Sequence, residues 1–182
     1  SIASVQNMDE LLPAITQLVS EKFGYYHAGI FLLDENQEYA LLRASNSEGG
    51  KRMLERQHKL KLDTNSIVGY TTLRGESRIA LDVGADAVFF NNPDLPDTRS
   101  EMALPLRVGG NVFGALDIQS TESNAFAQED VNVASILADQ IAIIYRGRIL
   151  MQGTLEDLKR NVLGAPEYEI KFSDVRDSSG LE

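Results

Sequence analysis

Two glycines inside an apolar run constrain this chain more than any other feature. Residues 100–120 read SEMALPLRVGGNVFGALDIQS, two apolar segments joined at Gly109-Gly110. A two-residue turn between antiparallel strands favours positive φ at its centre, which glycine adopts without steric cost, so the run predicts a β-hairpin. The turn implies a register that pairs Val108 with Asn111, Leu106 with Phe113, Leu104 with Ala115 and Met102 with Asp117. Alternation along each strand then places Met102, Leu104, Leu106, Phe113, Ala115 and Asp117 on one face. Ala103, Pro105, Arg107, Val112, Gly114, Leu116 and Ile118 take the other. The second face is small around Ala103 and Gly114 and is expected beneath the first and last long helices. The first is bulky, ends in one carboxylate, and is expected under the long loop 82–98. A buried Asp117 needs a partner, either a polar ligand group in a pocket, backbone amides, or an arginine such as Arg99.

The remaining segments fit around this hairpin. Asn7 and Glu10 mark a helix start, with Leu11, Leu12, Ile15, Leu18, Val19 and Phe23 at helical spacing and Gly24 as its stop. Pro13 fits if that helix begins near Leu12. Residues 27–33 and 38–45 are continuously apolar strands, expected to be covered on both faces. Residues 47–50 read as a loop and 51–56 as a short helix. The alternating stretch 58–62 suits a half-exposed edge strand. Asn65 or Ser66 caps a short helix over 67–74, and 78–81 is a short strand. A long helix starts near Phe126, with Val131, Ala134, Leu137, Ala138, Ile141 and Ile144 as its apolar stripe; its cap is expected from Ser123 or Asn124, or is absent, and Gly147 is its end. Beyond it, 148–150 reads as a strand, Thr154 as a helix cap, 167–172 as a strand, and Leu181-Glu182 as a vector scar.

Charge and composition narrow the function. With 27 acidic against 17 basic residues the net charge is −10, which disfavours nucleic acid and anionic membrane surfaces. No apolar run is long enough to span a membrane. The sequence contains no cysteine, which removes disulfides, thiolate nucleophiles and cysteine metal sites and suits a reducing cytoplasm. His27 and His58 are the only histidines. Lacking a clustered carboxylate or second ligand in sequence, they read as structural or surface residues rather than catalytic or metal-ligating ones.

The order helix, AGIFLLD strand, YALLRAS strand, Ser66-Ile67-Val68-Gly69 helix start, FFNNPDLPDTRSEMALPL, GGNVFGALDIQS and long helix resembles a GAF domain over residues 7–146. It looks most like the sensor modules of bacterial histidine kinases and diguanylate cyclases, including two-component systems. The resemblance implies an α+β, PAS-like fold. Its six-stranded antiparallel sheet would carry the terminal helices on one face and a loop-covered ligand pocket on the other. It divides the chain into a sensory domain, 1–146, and an extension, 147–182. Residues 139–160, DQIAIIYRGRILMQGTLEDLKR, resemble the end of an ABC transporter ATPase, although the ATPase's nucleotide-binding motifs are absent.

The resemblance also restricts chemistry. Bilin-binding and methionine-sulfoxide-reducing relatives use cysteines, which this sequence lacks. The cyclic-nucleotide signature is broken at Asn124-Ala125-Phe126, where its lysine is missing, and Glu129-Asp130 reverse its acids. These residues suit a helix start, where acids complement the dipole. The expectation is a regulatory module rather than an enzyme, with no cofactor and no metal. It would bind an unidentified small molecule, signal through its terminal helices to an output domain, and pair through them as a homodimer. The residues expected to line the pocket are Tyr70, Phe89, Phe90, Arg99, Glu101, Met102, Phe113 and Asp117. Asn91 and Asn92 are turn formers first. A ligand-free dimerisation module and the regulatory fragment of an ABC ATPase are the alternatives.

Overall fold

A computed structural model describes residues 8–86 and 90–152. Six antiparallel strands form one sheet in the order β3-β2-β1-β6-β5-β4. They are β1 (His27–Leu33), β2 (Tyr39–Ser45), β3 (Lys59–Lys61), β4 (Arg78–Ala80), β5 (Ser100–Val108) and β6 (Asn111–Ser120). Helices α1 (Met8–Phe23) and α4 (Gln128–Gln152) belong to one face, while α2 (Glu48–Glu55) and α3 (Ile67–Arg74) belong to the other. This is the α+β GAF/PAS-like architecture that the sequence implies. The chain divides into two units, Ser1–Arg146 and Gly147–Glu182, and the first holds the whole sheet. The expected cap at Thr154, the strand over 167–172 and the scar lie outside the described residues.

The hairpin forms with Val108 opposite Asn111, and Gly109 and Gly110 have φ of 58° and 83°. Three residues further on its register departs from the expected one. A β-bulge between Leu106 and Arg107 leaves Phe113 as the extra residue, so Leu106 pairs with Gly114, Leu104 with Leu116 and Ala103 with Asp117. A shift of one residue exchanges the faces of a strand. On β6 the expectation survives for Ala115 and Asp117, whereas β5 is inverted. Met102, Leu104 and Leu106 pack with Leu116 and Ile118 beneath α1 and α4. Ala103 joins Ala115, Phe31, Met53 and Val68 on the opposite side. The bulge also turns Phe113 toward the helices, where it stacks on Tyr145 with ring centroids 5.2 Å apart.

Helix boundaries differ from expectation for identifiable reasons. α1 begins at Met8, directly after the expected Asn7 start rather than near Leu12, and so contains Pro13, which leaves one intrahelical acceptor without its donor. α2 begins at Glu48 because Ser47 caps it, accepting from Gly50 N–H at 2.9 Å. Gly49 and Gly50 are not breakers here. A Cβ on Gly49 would lie 2.0 Å from the Asp94 carbonyl oxygen, so the pair permits close approach. α3 is capped by Ser66, as expected. At α4 neither Ser123 nor Asn124 caps; the Asp130 carboxylate reaches back to accept from Ala127 N–H at 2.8 Å. Gly147 does not end α4, and 148–150 continues it, since one helical glycine costs only about 1 kcal/mol.

Gly114 is the tightest point of the sheet, where a Cβ would stand 2.1 Å from the Phe31 carbonyl oxygen. Gly114→Ala is expected to lower the unfolding free energy by roughly 3 kcal/mol, read as a reduced urea midpoint.

Candidate functional site

On the sheet face opposite α1 and α4, the alternation of β1, β6 and β5 brings His27, Asp117, Gln119 and Glu101 together. All four are buried. Gln119 pairs with both His27 and Glu101 across the strands, and Asp117 pairs with Gly29. Gly29 has no side chain to obstruct the His27 ring; a Cβ there would meet its Nε2 at 3.0 Å. The imidazole therefore lies along the sheet with Nε2 3.7 Å from Asp117 Oδ2.

Hydrogen bonds connect this row to its surroundings. Ser47 Oγ, which already accepts the Gly50 N–H, stands 2.7 Å from His27 Nδ1. Ser45 Oγ lies 3.3 Å from the same nitrogen, so two hydroxyls hold Nδ1, and the ring tautomer decides which partner donates. Gln119 Nε2 donates to Asp117 Oδ2 at 2.7 Å, and Thr98 Oγ1 donates to Gln119 Oε1 at 2.6 Å. Among the described residues, Asp117 Oδ1 accepts from no amide, ring or hydroxyl donor, and His27 Nε2 also lacks a hydrogen-bond partner.

The electrostatics follow from burial without a neighbouring cation. Desolvation, then repulsion from Asp117, pushes Glu101 well above the usual carboxylate range. Desolvation pushes Asp117 up to about 6, against the opposing hydrogen bonds from Gln119 and Glu101. Burial thus favours protonation at both carboxyls of the pair. Burial, and secondarily the charge of His58, lowers His27 to about 3. The His27–Asp117 contact is therefore one of a neutral ring with a carboxylate, not an ion pair.

Above Asp117, Glu101 and Gln119 lies a cavity walled by Phe31, Met53, His58, Val68, Phe90 and Asn92, with about 310 Å³ of space including its open mouth. Only about 20 Å³ of it admits the centre of a water molecule, so this conformation has room for a water or two. His58 stacks on Phe90 and meets Phe31 edge-on, both at 6.2 Å. Asn92 donates from Nδ2 to Met53 Sδ at 2.8 Å.

Of the residues expected at the site, Glu101, Asp117 and Phe90 meet here. Met102 and Phe113 do not, because the bulge turns them under the helices. Tyr70 lies outside the cavity lining, with the Arg78 guanidinium over its ring at 5.1 Å. Arg99 does not partner Asp117; it is exposed and donates to Ser123 Oγ at 3.1 Å. Phe89 lies outside the described residues. Five further site residues had no signal strong enough to select them: His27, Met53, His58, Asn92 and Gln119. The alternation His27-x-Gly29 opposite Asp117-x-Gln119 would have found two of them had the β1–β6 pairing been known.

A family profile of the GAF domain matches residues 5–145. The chain belongs to the GAF family. A search of curated proteins finds no match. Among solved structures, the GAF domain of a phosphoenolpyruvate-protein phosphotransferase from Coxiella burnetii is similar, with TM-score 0.70 and 22% identity over 80% of this chain and 87% of that one. A type II free methionine-R-sulfoxide reductase from Thermoplasma acidophilum gives 0.65 and 24%, covering 74% and 89%. The free methionine-R-sulfoxide reductase from Neisseria meningitidis, solved with its substrate, gives 0.64 and 21%, covering 77% and 78%. At these identities the likeness is one of fold. Among the described residues no group of side chains could hold a metal ion and no helix is long and apolar enough to cross a membrane.

The raised acids set a pH dependence whose sign can be worked out. An acid whose folded pKa exceeds its unfolded value binds protons on folding, so its stabilisation is present at low pH and lost as pH rises through the folded value. For Asp117 that window runs from 3.8 to about 6, worth ~3 kcal/mol. His27 opposes it, since a ring lowered to about 3 from 6.5 costs stability as pH falls below 6.5. Asp117→Asn is expected to gain ~3 kcal/mol relative to the parent between pH 4 and pH 8, measured by urea unfolding at both pH values.

Proposed function

We propose that this GAF domain is a small-molecule sensor whose ligand presents a cationic or N–H-donating group to Glu101 and Asp117. One observation carries the reading: two carboxyls are buried at a cavity floor whose lining contains no arginine or lysine. An isolated buried charge is costly, and a ligand cation between the two carboxyls would offset that cost. The aromatic walls Phe31, His58 and Phe90 suit the apolar part of such a molecule. The Neisseria neighbour, solved with its substrate, shows that a related fold can accommodate one.

On this reading the protein transmits rather than catalyses. A buried histidine near 3 is a poor base at neutral pH, and the sequence offers no thiol for sulfoxide reduction. The signal would leave through α1 and α4, whose inner faces pack on β5 and β6, toward an output domain of a larger cytoplasmic signalling protein. The Coxiella neighbour is itself one domain of a phosphotransferase. The likeness of residues 139–160 to an ABC ATPase end marks one candidate for the attached module.

A second reading, a dimerisation module with a self-filled cavity, is favoured by the tight cavity and by α4. Val133, Ile136 and Ile143 recur on that helix at heptad spacing and are 41%, 61% and 59% exposed. The two readings share the seam and differ at the cavity, which holds a ligand in the first and only its own side chains in the second.

Native mass spectrometry and thermal shift with a panel of amino acids, polyamines and guanidinium compounds test the sensor. A bound species lost in both Glu101→Gln and Asp117→Asn is expected, and no binding from the panel or the cell would sink the reading. Sedimentation tests the seam. The parent is expected to be a dimer that Ile136→Glu converts to monomer, and a monomeric parent would remove it.

A further inference from the structure

The cavity has room for a water or two, so nothing larger reaches Glu101 and Asp117 until a wall moves. Most walls are poor candidates. Phe31 and Asp117 belong to central strands, and Ser66 and Val68 belong to the capped start of α3. The exception is the irregular segment 90–98, which contributes Phe90 and Asn92.

Within that segment the backbone hydrogen bonds are local, while at its end Thr98 Oγ1 is tied to Gln119 Oε1 on β6 at 2.6 Å. Leu95 N–H donates to Asn92 O at 3.0 Å, and Asp94 N–H donates to Asn92 Oδ1 at 3.0 Å. Its charged attachments to α2 converge on one residue, Asp94. Arg52 Nε donates to Asp94 Oδ1 at 3.1 Å and its Nη2 to Asp94 O at 3.2 Å, while Arg56 Nη2 reaches Asp94 Oδ2 at 2.6 Å. Arg52 lies in the last turn of α2 and Arg56 is its C-cap, and together they grip both carboxylate oxygens. The neighbouring anchors are the Asn92–Met53 contact and the buried Leu95 side chain. Gly49 lets the Asp94 carbonyl settle against the start of α2.

We propose that Asp94, gripped by Arg52 and Arg56, is a latch that holds segment 90–98 closed over the acid pair, and that access to the cavity requires its release. This adds regulation to the cavity read above as a ligand site, yet the latch is a property of the empty protein. Asp94 is only 16% exposed while the arginines are 57% and 46% exposed, so water and salt reach the grip without the segment first lifting. Partly exposed pairs of this kind are modest and screened by salt, which suits a latch that opens often.

The absence of cysteine supplies the test. Val68→Cys places the sole thiol of the protein on the cavity wall, at a position 1% exposed. Ala138→Cys places one under α4 on the opposite face, at a position 2% exposed. The modification rate by iodoacetamide is compared with and without Asp94→Asn, at low and high sodium chloride. The expected result is a fivefold to tenfold faster reaction at position 68 when Asp94 is changed. The rate at 138 stays constant, and the salt acceleration at 68 is lost. An Arg52→Gln/Arg56→Gln background should reproduce the gain. Equal rates at 68 in both backgrounds would overturn the latch, and so would an equal rise at 68 and 138, which reports general loosening. Leu60→Cys, also on the cavity wall, replaces the probe if Val68→Cys does not fold. Since no ligand enters the measurement, the latch can fail while the sensor stands, and the reverse.

Discussion

Strand β6 lies between β1 and β5 and pairs with both along most of its length. Which of its side chains point to which face therefore decides what the helices cover and what the cavity receives. The bulge at Phe113 settles that sorting. Two consecutive residues, Phe113 and Gly114, turn toward α1 and α4, one filling space against Tyr145 and the other leaving room for the Phe31 carbonyl. Below the bulge the alternation is strict, so Leu116 and Ile118 enter one core while Ala115 and Asp117 enter the other. An apolar residue in place of Asp117 would make that second layer an ordinary hydrophobic core.

The row His27, Gln119, Asp117 and Glu101 runs against the usual economy of a sheet interior. Buried carboxyls favour folding only when paired, protonated or solvated. Here the protein uses protonation and one neutral donor, Gln119, itself held by Thr98, rather than a guanidinium. The available arginines are engaged elsewhere. Arg78 donates to the Asp86 carboxylate at 2.9 and 3.1 Å, Arg52 and Arg56 hold Asp94, and Arg99 faces Ser123. The result is a site whose charge state near neutral pH is open to whatever occupies it.

The legible parts of the sequence are those where one local rule acts alone. Gly109-Gly110 announces a turn, Ser66 a cap, and the period of α1 and α4 a helix face. Asp117 stands out as a lone acid in an apolar strand, and its placement on the cavity face holds. Alternation misplaces Met102 and Phe113 because it carries no mark of a bulge. Gly114 is the trace the bulge leaves in the sequence, and a glycine inside a strand equally suits a close backbone approach with no bulge at all. Gly49-Gly50 reads as a loop because glycine usually weakens helices, whereas contact with Asp94 is a tertiary demand. His27 carries no local signal, since its role depends on a strand partner more than eighty residues away.

Ser47 joins two parts of the domain that are otherwise far apart in the chain. Its single oxygen both starts helix α2 and holds the His27 ring beside Asp117. The same helix carries Arg52, and its C-cap is Arg56, the two arginines that hold the segment above. Roof and floor of the cavity are thus referenced to one rigid rod of eight residues. A tilt of that rod would alter the depth of the chamber and the orientation of the ring together, giving the domain a mechanical coordinate that runs across the sheet rather than along it.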